Sequence, residues 1–117
     1  MRDHTNLPAY ELADQLALAI YKETRSSPRE EMFGLTSQLR RAAVSIASNI
    51  VGGSARSSEA EYLRFLDIAY GSAREVEYQV GLASRLGFLA EPSYRELGAL
   101  SLETSKVLNG LLRSLRR

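Results

Sequence analysis

Tyr62, Leu66, Ala69, Ala73, Val76, Val80 and Ala83 follow one another at steps of 4, 3, 4, 3, 4 and 3 residues. Apolar side chains in that rhythm form one stripe along an α-helix, because 3.6 residues complete a turn. The stripe lasts three heptads, so this helix needs a packing partner along its whole length. Alanine at three of the seven positions lets a neighbouring backbone come close. Ser58 and Glu61 make a capping box just ahead of the run. Gly87 supplies a stop, and Phe88 is placed for the apolar contact of a Schellman end. A helix so bounded has about 29 residues and is about 43 Å long.

Three further segments show helical spacing, and none shows strand alternation. From about Ala9 to Thr24, Leu12, Leu16 and Ile20 recur beside Ala9, Ala13 and Ala19, with Pro8 where a first-turn proline belongs. Pro28 and Gly34 bracket a loop or a single extra turn. Thr36 or Ser37 is the expected cap of the next helix. Its stripes, Leu39, Ala43, Ile46 and Ile50, then Val44, Ala47 and Val51, predict burial on two sides. Gly52 and Gly53 are its expected end, one of them left-handed. Pro92 opens the last segment, where Ser93 and Glu96 form a second capping box. Leu97, Leu100, Thr104, Leu108, Leu111 and Leu115 carry its stripe. Short connections make consecutive helices antiparallel neighbours. The prediction is an all-α, antiparallel up-down-up-down four-helix bundle. Residues 1–117 form one domain, with about 1–8 as a flexible tail.

Composition narrows the chemistry. The chain has no cysteine, and its one histidine is His4. Thiolate chemistry, disulfides and a His-based triad drop out, and no Glu-x-x-His pair of the di-iron bundles occurs. Adjacent carboxylates such as Glu75 and Glu77 do not face each other on a helix. No catalytic, cofactor-binding or metal-ligating residue is expected, and the chain reads as no enzyme. No apolar run is long enough to span a membrane, and the first residues lack the apolar core of a signal peptide. A cytoplasmic protein without a membrane partner is expected.

What remains is surface. The third helix carries more apolar side chains than one seam needs, and Tyr62, Leu63, Phe65, Ile68 and Tyr70 are the candidate self-association surface. Formal net charge is only +1, yet all cations except Lys22 and Lys106 are arginine, which suits phosphate and carboxylate forks. Arg40 and Arg41 are expected in the first turn of the second helix, a poor place for cations by the helix dipole. Arg56 lies in "GGSARSS", which lacks the lysine and spacing of a P-loop. Arg113, Arg116 and Arg117 end the chain. These six are candidate contacts to RNA or DNA; the alternative is that they are structural. Ser45, Ser48 and Asn49 interrupt an apolar helix and are expected to be buried polar groups at a helix crossing, with Glu75 as a candidate partner.

One block contains Phe33, Gly34, Leu35, Thr36, Gln38, Arg40, Arg41, Ala42, Ser45, Ser48, Asn49 and Ile50. A second contains Phe65, Leu66, Ala69, Gly71, Ser72, Glu75 and Glu77, and the loop pair Pro28 and Glu31 fits too. Together they resemble the bacterial family of four-helix-bundle proteins encoded within intervening sequences of 23S ribosomal RNA. That family also includes the accessory protein of diversity-generating retroelements. The resemblance covers roughly residues 8 to 112. It implies a homo-oligomer, a ring of five, acting as a non-enzymatic scaffold or adaptor. Its implied partners are itself and RNA or DNA. The alternative is a purely protein–protein module, for example a partner of a reverse transcriptase. The chain departs from the pattern in its near-neutral charge and in carrying Gly52 where the family has an acidic residue.

Overall fold

A computed structural model of the chain describes residues 2–31 and 33–117. Four helices follow in order: α1 Pro8–Glu23, α2 Leu35–Ser54, α3 Glu59–Arg85 and α4 Glu91–Leu115. Short 3-10 turns at His4–Asn6 and Arg29–Glu31 precede the first two. Each helix packs side by side with two others in the ring order α1, α2, α3, α4, and the diagonal pairs face each other across the core. The molecule measures 43 × 23 × 19 Å.

Contacts set the helix directions. Residues 53 and 62, and 45 and 72, meet across α2 and α3, so these helices run antiparallel. Glu77 meets Ser105 and Asp67 meets Arg116, which makes α3 and α4 antiparallel as well. Arg2 reaches Ser54 at one end and Thr24 reaches Arg40 at the other, and α1 thus opposes α2.

All seven seam residues of α3 are buried. They close on Leu39, Ala43, Ile46 and Ile50 of α2, Leu16 and Ile20 of α1, and Leu97 and Leu108 of α4. Each large aliphatic residue so buried contributes about 1.5–3 kcal/mol of transfer free energy. The α3 ends follow the sequence reading. Ser58 Oγ accepts from the Glu61 N–H at 3.1 Å. At the other end Gly87 has φ +80°, the Phe88 N–H donates to Ala83 O, and the Gly87 N–H donates to Ser84 O, a Schellman motif.

Several expectations give way. Gly52 and Gly53 do not end α2. The helix runs through both to Ser54, and neither has positive φ. Their role is proximity: a Cβ on Gly53 would lie 2.8 Å from Phe65 Cβ, and one on Gly52 would lie 3.2 Å from the Phe65 ring. Thr36 and Ser37 do not cap α2. Gly34 holds the N-cap position, and the Glu31 carboxylate accepts from the Leu35 N–H at 3.0 Å, at the helix end that favours negative charge. Ser93 lies inside α4, whose N-cap is Ala90, and its hydroxyl donates to Glu23 of α1 instead. Val44 and Val51 are exposed, because α2 has only two neighbours and those cover the other stripe.

Residues 2–7 are not a detached tail. The Arg2 N–H donates to Ser54 O at 2.9 Å, its guanidinium pairs with Glu59 at 3.0 Å, and it stacks 4.0 Å above the Tyr62 ring. The His4 ring meets Tyr10 edge-on at 4.8 Å.

The two kinds of glycine are separable by experiment. Alanine normally stabilises a helix interior by up to about 1 kcal/mol over glycine, and Gly71 has open space for a methyl group. Gly71→Ala should therefore stabilise by that order in urea unfolding. Gly53→Ala should destabilise by about 1–3 kcal/mol through overpacking against Phe65. A stabilised Gly53→Ala would show that this glycine is not a close-approach residue.

Candidate interaction groove

Between α2 and α3, beyond their close contact at Gly53, a groove of about 340 Å³ opens on the surface. Residues Gln38, Arg41, Ala42 and Ser45 of α2 form one wall, and Ser72, Glu75 and Gln79 of α3 form the other. Their spacings, 3, 1 and 3 on α2 and 3 and 4 on α3, keep them on the flank beside each helix's buried stripe. Six of the seven are residues on which the family resemblance rests.

The floor of the groove is a closed polar cluster. Ser45 Oγ and Ser72 Oγ are 2.9 Å apart in a hydrogen bond. Asn49 Nδ2 donates to Ser45 O at 2.8 Å and to Ser45 Oγ at 3.0 Å. Polar groups at a packed crossing require such partners. Ser45 and Asn49 thus sit half-buried at the α2–α3 contact. Ser48 and Glu75, expected to join them, are exposed: Ser48 points outward from α2, and Glu75 stands on the rim. A further half-buried residue, Gln79, was not singled out by sequence. Its Oε1 is buried without a hydrogen-bond partner among the described residues, as is Ser54 Oγ. The legible signal was a polar stripe, Ser72, Glu75 and Gln79, running beside the α3 seam.

The six candidate arginines do not form one patch. Arg40 and Arg41 lie in the second turn of α2, since the helix starts at Leu35. The chain from Arg41 to Ser54 rises about 20 Å along the axis, so Arg56 lies toward the opposite end of the bundle. Arg113, Arg116 and Arg117 lie at that same end, on the antiparallel α4. Two of the six are committed inside the fold. Arg40 Nε donates to the buried Thr24 Oγ1 at 2.9 Å, its guanidinium stacks 4.6 Å over Tyr21, and it ties the C-terminal end of α1 to α2. Arg116 pairs with Asp67 of α3. Arg56 stacks 4.6 Å over Phe65, whose ring also carries Arg64 at 5.2 Å. Arg41, on the groove wall, makes no ion pair among the described residues.

The candidate self-association residues also divide. Tyr62 is 3% exposed and belongs to the core, because its seam position points inward. Leu63 and Tyr70 pack half-buried against the core, and Phe65 fills the space that the two glycines leave. Only Ile68 of that set is an exposed large hydrophobe. Other exposed apolar side chains are Leu18, Tyr21, Val44 and Val51 on the α1–α2 side, and Tyr78, Tyr94 and Leu102 on the α3–α4 side. Among the described residues, no helix is long and apolar enough to cross a membrane.

Four helices around one core define an all-α four-helix-bundle protein. The chain belongs to the family of 23S rRNA-intervening sequence proteins, whose model matches residues 5–110. Among solved structures it is similar to a protein of unknown function from the S23 ribosomal protein family of Bacteroides thetaiotaomicron VPI-5482. The two are 24% identical with a TM-score of 0.82, over 90% of this chain and 95% of that one. At that identity the likeness shows the fold. Among curated proteins none matches.

The two adjacent arginines should behave differently. Arg40→Ala removes the donor to Thr24 Oγ1, which keeps its own bond to Ile20 O, and the stacking on Tyr21, and it should lower stability by about 1–2 kcal/mol in urea unfolding. Arg41→Ala should change stability by less than about 0.5 kcal/mol.

Burial raises the Tyr62 phenol above its ordinary value near 10, with Arg2 opposing that effect. The unfolded state therefore ionises first. Stability from this group is fully present below about pH 10 and is lost as pH climbs through the raised folded value. Tyr62→Phe should flatten that alkaline decline in thermal unfolding measured from pH 9 to 11. An unchanged decline would show that Tyr62 is not its source.

Proposed function

We propose that the protein is a non-enzymatic, cytoplasmic scaffold that assembles with copies of itself into a ring. The observation that carries this reading is the placement of its exposed apolar side chains. Leu18, Tyr21 and Val44 lie outward on α1–α2, while Tyr78 and Leu102 lie on the opposite, α3–α4 side. The core is already closed without them. Two unlike apolar faces on opposite sides of one protomer suit a heterologous, head-to-tail contact, which closes into a cyclic ring rather than a two-fold dimer. Five is the number of copies that the family resemblance implies. The absence of cysteine suits a reducing compartment.

Protein contacts, rather than nucleic acid, are the primary reading of the partner. The charge is near neutral, and the candidate arginines are split between the two ends of the bundle. RNA or DNA binding is the second reading. It is favoured by Arg56 and Arg64 stacked on Phe65 and by Arg113 and Arg117 at the same end. Binding of that kind would fall steeply with salt. A gel shift on structured RNA and on DNA at two salt concentrations tests it, and no shift at low salt removes it.

For the ring, light scattering on the wild-type chain should give a mass several times 13.0 kDa. Val44→Glu and Leu102→Glu each spoil one face, and each alone should yield monomer. Mixed together, the two variants retain one intact face each and should form a heterodimer and nothing larger. Full-size assemblies from either variant would refute the two-face ring.

A further inference from the structure

We propose that the α2–α3 groove is a docking site for a partner protein's segment that carries an arginine or lysine next to an aspartate or glutamate. The proposal does not depend on the ring. The groove lies on the α2–α3 side, between the two apolar faces, so ring closure would leave it open.

Three observations converge on this ligand. Charge is arranged but unspent. Arg41 faces the groove from α2 and Glu75 from α3, yet neither makes an ion pair among the described residues. Five other arginines do find carboxylates, Arg2, Arg64, Arg74, Arg95 and Arg116. A bound segment with both signs of charge would neutralise both walls. A lone phosphate or nucleic-acid backbone would meet the Glu75 carboxylate and be repelled. An apolar helix would bury Arg41, Glu75, Gln38 and Gln79 without partners, which is strongly unfavourable.

The second observation is Gln79. Its buried Oε1 is an acceptor without a donor among the described residues, and turning the side-chain amide toward the groove would let a bound N–H supply one. Glu75 lies one turn earlier on the same helix flank, so carboxylate and amide oxygen are spaced for one guanidinium or ammonium group. Across the groove, Arg41 can then take the neighbouring carboxylate of the same segment, with Gln38 beside it as a neutral donor. The third observation is the floor. Ser45, Ser72 and Asn49 satisfy one another, so they hold the two walls apart at a fixed separation rather than competing for the ligand. A volume of about 340 Å³ is within the range of small-ligand sites and takes two side chains, not a folded domain.

The test uses the full chain and three capped probes observed by saturation-transfer NMR: acetyl-Arg-Glu-amide, acetyl-Arg-amide and acetyl-Glu-amide. The zwitterionic probe should bind about 5-fold or more tightly than either half, as two surface ion pairs acting together allow. Glu75→Gln should reduce its affinity to that of acetyl-Glu-amide, and Arg41→Gln to that of acetyl-Arg-amide. Both residues are exposed on the rim, so both variants should keep wild-type circular dichroism and melting. Gln79→Leu separates a ligand acceptor from a structural amide: it should weaken binding several-fold and raise the melting temperature, because an unpaired buried oxygen is removed. No saturation transfer to any probe at about 20 mM, equal binding by all three probes, unchanged binding in Glu75→Gln and Arg41→Gln, or a Gln79→Leu variant that melts lower would each overturn the proposal.

Discussion

The closeness of α2 to α3 at one end of the bundle governs the rest of the molecule. Gly53 leaves no room for a Cβ beside Phe65, and Gly52 little more. That contact brings the C-terminal end of α2 and the first turns of α3 to minimal separation. Only four residues connect the two helices there, which reinforces the pairing. Toward the far end the facing residues are larger and polar. The pairing thus has a tight glycine contact at one end and the groove residues Gln38, Arg41, Glu75 and Gln79 at the other. The Ser45–Ser72 bond lies between the two regimes.

The arginines divide according to what the ends of the helices need. Arg40 caps the carbonyl end of α1 and stacks on Tyr21. Arg2 anchors the N-terminal residues on Glu59 and Tyr62, and Arg116 clasps α4 to Asp67. Such contacts suit arginine, whose planar fork stacks and bonds at the same time. Carboxylates do the complementary work with α4 hydroxyls, Glu23 with Ser93 and Glu77 with Ser105. A near-neutral chain can therefore be rich in arginine without presenting a basic surface. The groove residue Arg41 stands apart, because the fold gives it a wall position but no partner.

Much of this was legible in advance, for a physical reason. Burial on α3 depends on which stripe of the helix a residue occupies, and that follows from the 3.6-residue period alone. Hence the seven seam residues, the Ser58 cap and the Gly87 Schellman end could all be named from spacing. The same local logic misassigned Gly52 and Gly53. A double glycine followed by a polar loop has the letters of a helix end, and the ring of Phe65, twelve residues on from Gly53, made it a packing surface instead. Thr36, Ser37 and Ser93 fit capping patterns equally well, yet Glu31 and Pro92 placed the helix starts two or three residues earlier.

The amino-acid sequence by itself determined the class of fold, the inward stripe of each helix and the family to which the chain belongs, because these depend on spacing along one chain. Tertiary structure decided which polar residues face one another. Ser45 meets Ser72, and Gln38 and Arg41 share a groove with Glu75 and Gln79, on helices that approach closely where Gly53 meets Phe65. It also decided that Arg40 and Arg116 serve the fold while Arg41 does not, and that Tyr62 lies inside while Val44 lies outside. Those outcomes follow from how helices meet across the bundle, a relation between segments far apart in the chain that no local pattern encodes.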